Sequence, residues 1–301
     1  MGGGPPWFAP GQARRRRDAA TLGSLDGRIA IITGAGRGLG RAYALLLASE
    51  GARVVVNDLD GGDAVVEEIR GAGGDAVGNG DDVTDWEGGQ RLVRAAVDAF
   101  GGLDVLVNNA GILRDRALVN MTEADWDDVT DVHLKGHFVP TRWAATYWRE
   151  QAKAGTPRAA SLVHTSSTSG LLGNPGQTNY GAAKAGVAAF SCICAQELAR
   201  YGVRSNCIAP AARTRLTEST PGLAEMVAPP GEGGGFDLWD PANVAPLVAV
   251  LAAADSPFNG RTFFVQGGTV KLMEGWRFTD SVEKEQRWTI DELEHALAPL
   301  A

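Results

Sequence analysis

Eight residues, Thr33-Gly34-Ala35-Gly36-Arg37-Gly38-Leu39-Gly40, constrain this chain more than any others. They follow an apolar run, Arg28-Ile29-Ala30-Ile31-Ile32, that reads as a buried strand. They precede Arg41-Ala42-Tyr43-Ala44-Leu45-Leu46-Leu47, which reads as a helix. A strand that turns through glycines into a helix N-terminus makes an anion site, because free amide N–H groups point outward there and the helix dipole favours a phosphate. Glycine lets the backbone approach such a ligand closely and take up positive φ. The strict G-x-G-x-x-G spacing is not met: its sixth position is Leu39 counted from Gly34 and Arg41 counted from Gly36. The spacing present is T-G-x-x-x-G-x-G, with Thr33, Gly34, Gly38 and Gly40.

From Leu25 onward strands and helices alternate. Strands are predicted over 53–57, 75–78, 103–107, 159–165, 203–208 and 262–265, with helices over 61–71, 85–100, 179–200 and 241–254. Thr122-Glu123-Ala124-Asp125 resembles a capping box that opens a long helix toward Trp148. Such alternation predicts an α/β fold, a single doubly wound Rossmann-like domain whose seven-stranded parallel sheet carries helices on both faces. The domain is expected over 25–270. Residues 1–24, rich in Gly, Pro and Arg, read as a disordered tail. Residues 214–240, rich in Pro and Gly, read as a substrate loop with a short helix at 221–227. Residues 271–301 form a C-terminal extension, where Thr289-Ile290-Asp291-Glu292 is a second capping box opening a helix that docks on its own subunit or a partner.

A formal charge of −8 argues against a nucleic-acid surface. No apolar run approaches the roughly 18 residues of a membrane helix, and the N-terminus lacks the apolar core of a signal peptide, so a cytoplasmic protein with no membrane partner is expected. Three cysteines make no disulfide framework, and Cys192 and Cys194 read as small core residues. His137, His164 and His295 form no ligand spacing with Cys or acidic residues, so no metal is expected.

Two groups of residues carry chemistry. Asp58 ends the second strand some 20 residues past the glycines, where a carboxylate accepts hydrogen bonds from ribose hydroxyls and repels a 2′-phosphate. That favours NAD over NADP, unless Asp58 is simply a surface turn acid. Arg37 points the other way, since a guanidinium in the turn would hold a 2′-phosphate, but Leu59 and Asp60 supply no second cation. Of the four tyrosines, only Tyr180 has a lysine, Lys184, one helical turn on. An ammonium beside a phenol stabilises the phenolate, although bringing a phenol from about 10 to near neutrality needs more than one exposed charge supplies. A positive nicotinamide would be the second contributor. Ser166 and Ser167 end the fifth strand, and since successive strand residues face opposite ways, one of them can reach a substrate oxygen.

T-G-x-x-x-G-x-G, Asn108-Asn109-Ala110-Gly111, the serine and Tyr180-x-x-x-Lys184, in that order, resemble the short-chain dehydrogenase/reductase family over about residues 25–270. The stretches LGRAYALLLASEGARVVVNDL, NNAGILRDRAL, DWDDVTDVHLKGHF and GNPGQTNY are similar to the (3R)-hydroxyacyl-CoA dehydrogenase part of peroxisomal multifunctional enzyme type 2 and its bacterial relatives. The resemblance implies hydride transfer between a secondary alcohol and NAD in a dimer or tetramer. It implies Tyr180 as base, Lys184 as the residue that lowers the phenol's pKa and holds the nicotinamide ribose, and Ser167 as the serine that orients the substrate. It places Gly34, Arg37, Gly38, Leu39, Gly40, Asp58, Asn109, Ala110, Gly111 and Pro210 around the cofactor, with Asp82 and Val83 at the adenine. Asp82 also reads as a cap for the helix that follows.

The chain departs from the family in three places. His133 stands where an Asn helps a proton relay, so it is either part of a changed relay or a core residue. Pro210-Ala211 replaces Pro-Gly, and the 214–240 loop does not match the acyl-CoA enzymes well. The substrate expected is a small molecule, best a 3-hydroxyacyl-CoA. The alternatives are a hydroxysteroid, or a protein that binds NAD without turnover.

Overall fold

The computed structural model describes residues 25–214, 224–231 and 234–300. The expected disordered tail therefore lies outside the described residues, as do residues 221–223 of the expected short helix. The remaining residues of that helix, 224–227, form a turn.

Eight strands form one sheet in the order β3-β2-β1-β4-β5-β6-β7-β8. They are β1 (Ile29–Thr33), β2 (Arg53–Asn57), β3 (Asp75–Asn79), β4 (Val105–Asn108), β5 (Ala160–Thr165), β6 (Val203–Pro210), β7 (Thr262–Gln266) and β8 (Thr269–Met273). The first seven run parallel, as the alternation predicts. The eighth corrects the expected count: β8 returns antiparallel along β7 after a turn through Gly267 and Gly268, with Gln266 opposite Thr269. Gly267 has φ 51°, which suits a tight hairpin turn.

The central strands are buried on both faces, so they read as continuous apolar runs. Side chains alternate. Ala30, Ile32, Val54, Val56, Val105 and Val107 join one core with helix α1 (Gly38–Ser49), while Ile29, Ile31, Val55 and Leu106 join the other with helix α3 (Trp86–Phe100). Helix α2 (Gly62–Gly71) lies with α1 on the first face. The long helix expected after Thr122 begins with the capping box, Thr122 and Asp125 satisfying each other's backbone N–H groups. It runs as α4 (Glu123–Thr130), a π-helical turn over Asp131–Lys135 that holds His133, and α5 (Gly136–Lys153). Trp148 of α5 is fully buried and donates its indole N–H to the Leu103 carbonyl at 2.8 Å.

The short α6 (Thr168–Leu172) leads into α7 (Thr178–Glu197), and α8 (Ala245–Ala252) covers the α1 face. Cys194 of α7 is buried, but Cys192 is exposed, because residues two apart on a helix face different ways. In the extension the second capping box opens α9 (Ile290–Leu297) as expected. None of its residues is buried, so it does not dock into its own subunit's core. Trp276 and Phe278 stand fully exposed ahead of it.

Strand order reverses between β1 and β4. The crevice at the carboxyl ends of these two strands is where a doubly wound sheet receives its ligand. The Gly-rich turn follows β1 there, and Asn108-Asn109-Ala110-Gly111 closes β4 beside it.

Candidate active site

The Gly-rich turn is held from three sides. Gly36 donates its N–H to Asp58 Oδ2 at 2.8 Å, and Asp60 N–H bonds the other oxygen at 3.1 Å. The Asp58 carboxylate thus sits at the mouth of the turn, at the tip of β2. Asn109 ties β4 to the turn by donating Nδ2 to the carbonyls of Thr33 at 3.1 Å and Gly34 at 3.2 Å, while Thr33 Oγ1 accepts from the N–H groups of Asn109 and Ala110 at 2.9 and 3.1 Å. The glycines have separate reasons. A Cβ on Gly40 would stand 2.1 Å from the Gly34 carbonyl oxygen, and one on Gly34 would stand 2.7 Å from Ala110 Cα. Gly38, at φ 53°, meets no atom of the described residues nearer than Thr214 Cγ2 at 3.7 Å. The N-cap of α1, Arg37, has an extended backbone and makes no side-chain capping bond. A helix N-terminus that begins without such a cap fits a phosphate.

Several expected cofactor residues sort differently in space. Leu39 packs partly into the α1 core, and Val83 is buried. Asp82 is exposed and accepts from Thr84 N–H and Oγ1 at 2.8 and 2.9 Å, but α3 is capped by Asp85, which accepts from Gly88 N–H at 2.8 Å. The expectation of Asp82 as helix cap is therefore corrected to Asp85. Gly111 makes room for a side chain: a Cβ there would lie 2.4 Å from His133 Cε1. Pro210 ends β6 opposite Val265.

Tyr180, Lys184, Ser167 and His133 converge at the same sheet edge. Lys184 is 2% exposed, and its Nζ donates to the Thr165 carbonyl at 2.6 Å and lies 5.6 Å from the centre of the Tyr180 ring. Ser167 stands beside Tyr180, where its hydroxyl favours the phenolate, and also caps α6, its Oγ accepting from Ser169 N–H at 3.1 Å. Ser166 turns inward and donates to the Lys184 carbonyl at 2.7 Å. The alternation of the strand end therefore separates the two serines, and Ser167 is the one that meets the phenol. Gly170 lets α6 close on α7, since a Cβ there would lie 2.5 Å from Ala185 N.

His133 is 1% exposed and stands edge-on to the Tyr180 ring at 5.1 Å, with Nε2 2.7 Å from the Ile112 carbonyl. It is thus a packed core side chain in contact with the tyrosine. Burial, with the charge of Lys184, holds its pKa well below the usual imidazole range.

Charge is not yet tuned for chemistry by these residues alone. Burial pushes the Tyr180 phenol up to about 12, with the Ser167 hydroxyl opposing the rise and Asp115 adding to it. Burial pulls Lys184 down to about 7. Bringing such a phenol near neutrality takes on the order of 6 kcal/mol at 1.36 kcal/mol per unit. One cation at about 4 Å supplies roughly 4 kcal/mol at an effective dielectric near 20. The site therefore calls for a second positive charge beside Tyr180, besides a charged Lys184.

Residues 28–225 match the short chain dehydrogenase family model. The chain belongs to the short-chain dehydrogenase family. Its members are oxidoreductases that act on hydroxyl groups and generally use NAD or NADP. The chain is 47% identical over 260 residues to hydroxyacyl-CoA dehydrogenase ChsB1 of Mycobacterium tuberculosis, covering 83% of this chain and 80% of that protein. It is 45% identical over 246 residues to peroxisomal multifunctional enzyme type 2 of Drosophila melanogaster, covering 78% of this chain and 38% of that longer protein. Among solved structures, a short chain dehydrogenase from Mycobacterium avium superposes with a TM-score of 0.81 at 45% identity, covering 92% of this chain and 94% of that one. Among the described residues no helix is long and apolar enough to cross a membrane.

Proposed function

We propose that this short-chain dehydrogenase interconverts a 3-hydroxyacyl-CoA and its 3-oxo counterpart with NAD. The observation that carries the reading is the meeting of Ser167, Tyr180 and Lys184 at the edge of the sheet where Asp58 holds the Gly-rich turn. The acyl-CoA half rests on the relatives, two of which are named for hydroxyacyl-CoA or multifunctional peroxisomal enzymes.

NAD, when bound across the crevice, supplies the hydride acceptor and the second positive charge. Its phosphates fit the uncapped α1 terminus over Gly38, and its adenosine ribose fits Asp58. In the oxidising direction Ser167 Oγ–H orients the substrate oxygen, and the Tyr180 phenolate takes the hydroxyl proton. Lys184 keeps one N–H on Thr165 and has two left, for the nicotinamide ribose and for the field at the phenol. The half of the substrate away from the reacting carbon falls to the 214–240 segment. Its base is held by Arg213, which pairs with Asp237 and donates to the Val227 carbonyl at 2.9 Å.

A panel of 3-hydroxyacyl-CoA esters, hydroxysteroids and simple secondary alcohols, assayed with NAD⁺ and NADP⁺ by absorbance of the reduced cofactor, tests this directly. The expected result is turnover of the acyl-CoA esters with a preference for NAD⁺, and the absence of acyl-CoA turnover rejects it. The cofactor choice has its own test. Asp58→Asn keeps an acceptor for Gly36 N–H but removes the charge that repels a 2′-phosphate, with Arg37 exposed in the same turn. The ratio of kcat/KM for NAD⁺ over NADP⁺ is expected to fall at least about tenfold, as loss of roughly 1.4 kcal/mol of discrimination requires. An unchanged ratio removes Asp58 from cofactor choice.

A further inference from the structure

Gln177 is 8% exposed and stands three residues ahead of Tyr180, at the N-cap of α7. Its side chain does not cap that helix. It reaches instead to both segments that frame the catalytic edge. Its Nε2 donates to Asp115 Oδ2 at 2.8 Å, in the segment after β4, and its Oε1 accepts from Ser169 Oγ of α6 at 2.7 Å and from Asn174 Nδ2 at 2.8 Å. Ser169 in turn donates its backbone N–H to Ser167 Oγ at 3.1 Å. A chain of hydrogen bonds therefore runs from the Asp115 carboxylate through Gln177 and Ser169 to Ser167. The backbone is tied across the same gap. Arg116 N–H bonds the Gly176 carbonyl at 2.9 Å, and Asn179 Nδ2 donates to the carbonyls of Arg114 at 3.1 Å and Asp125 at 2.8 Å while its Oδ1 accepts from Tyr180 N–H at 2.7 Å.

The polarity of this chain is fixed at its far end. An ionised carboxylate only accepts, so the nitrogen of the Gln177 amide faces Asp115 and the oxygen faces Ser169. The Ser169 hydroxyl must then donate. With one lone pair of Ser167 Oγ taken by Ser169 N–H, the Ser167 O–H is turned away from Ser169 and left for a ligand oxygen or the neighbouring phenol. Stability does not account for the arrangement. Ser, Asn and Asp are the residues that cap a helix, and Gln177 leaves α7 without a side-chain cap. Asp115 Oδ1 is buried with no partner among the described residues, which costs desolvation. The Asp115 charge also raises the Tyr180 phenol, against the need for a base. Three local costs meet at one contact, Asp115 to Gln177, as expected where function rather than folding sets the residues.

We propose that Gln177 is a positioning residue for Ser167: an amide strut, given its direction by Asp115, that holds Ser169 and so keeps the Ser167 hydroxyl aimed at the substrate oxygen and the phenol. It acts through Ser169 rather than on the substrate. The inference rests on the reading of Ser167 and Tyr180 as partners in the reaction, so its test includes a measurement that needs no turnover.

The test compares wild type with Gln177→Leu, Gln177→Glu and the exchange Asp115→Asn/Gln177→Glu. Leucine removes both ends of the strut. Glutamate keeps an acceptor for Ser169 but sets two carboxylates against each other, and the exchange again puts a donor opposite an acceptor. The Tyr180 phenol is titrated in the NAD⁺ complex by ultraviolet difference absorbance, each protein against its own Tyr180→Phe form. NADH affinity, Tm and, where turnover exists, kcat and KM are measured beside it. In Gln177→Leu the phenol is expected to titrate about half a unit to one unit higher, the effect of loosening one hydrogen bond to the charged form. Its kcat is expected to fall about tenfold or more, as misplacing an orienting group does, with NADH affinity within about threefold of wild type. Gln177→Glu is expected to behave alike, and the exchange to return to the wild-type titration and to within about threefold of the wild-type kcat. A Gln177→Leu protein with the wild-type phenol titration overturns the proposal, whatever its kcat or Tm, and so does an exchange no nearer wild type than Gln177→Glu. If Gln177→Leu does not fold, the other two variants, which keep the size of the side chain, are read in its place. A wild-type protein that binds NADH but turns over no alcohol counts against the dehydrogenase reading, and leaves the strut to be judged on the titration.

Discussion

Replacing Tyr180 by Phe is expected to lower kcat by roughly 10²–10⁴-fold, the range for losing a positioned acid–base group, while NADH affinity stays within about threefold. The substitution removes one oxygen. The ring keeps its edge contact with His133 and its place beside Lys184 Nζ, so the crevice keeps its shape. What disappears is the one group at this edge that both meets Ser167 and can hold the substrate's proton. Tyr43 is no substitute, because it is fully buried in the α1 core with burial holding its phenol protonated. The pH profile carries the same information. Burial places the phenol near 12 without a second charge, so in the wild-type protein the basic limb of NADH binding and the acid limb of alcohol oxidation should both depend on the Tyr180–Lys184 pair. A Tyr180→Phe protein with wild-type kcat ends the assignment of Tyr180 as base. One that loses NADH binding as well shows instead that the ring, not the oxygen, was the functional part.

The sheet was legible because burial on both faces leaves a simple trace: β1, β2 and β4 are short apolar runs between glycines and polar turns. β8 was missed because it is an edge strand whose Val270 and Leu272 stay exposed, so its pattern carries no burial signal. A signal was nevertheless present in Gly267-Gly268 between two five-residue segments rich in Thr, Val and Phe, the mark of a two-residue hairpin. The dyad was legible because an i, i+4 pair needs only helical spacing. Its surroundings were not. Nothing in the periodicity of residues 122–148 marks the π-helical turn, which inserts a local bulge without changing which residue types are apolar. Gly111, expected beside the cofactor, also makes room for His133 in the fold, through an approach of residues 22 apart in the chain. Likewise His164 meets His137 only because α5 crosses beneath β5, and Asp85 rather than Asp82 caps α3 because a cap depends on where the first helical turn closes.

The glycines of the turn separate space for the fold from space for the ligand, and two alanine variants are expected to pull the two apart. Gly40 has no positive φ, so an alanine there meets no backbone penalty. Its Cβ would nevertheless stand 2.1 Å from the Gly34 carbonyl oxygen and 2.7 Å from Asn109 Nδ2, the same amide that ties β4 to the turn. Backbone oxygen cannot swing aside as a side chain can, so α1 must be displaced from the turn. Gly40→Ala is expected to cost about 1–3 kcal/mol or more as overpacking, visible as a Tm lower by several degrees, with NADH binding lost along with it. Gly38→Ala pays differently: its φ of 53° costs about 1–2 kcal/mol, yet among the described residues no atom lies closer to the new Cβ than Thr214 Cγ2 at 3.7 Å. On the proposed reading, the methyl group projects toward the side from which a phosphate approaches the amide N–H groups of α1. NADH affinity is therefore expected to fall more than tenfold at Gly38 with a well-folded protein by circular dichroism and a modest loss of Tm. If Gly38→Ala binds NADH as wild type does, the phosphates do not lie over Gly38, and the uncapped end of α1 is a structural turn rather than a cradle.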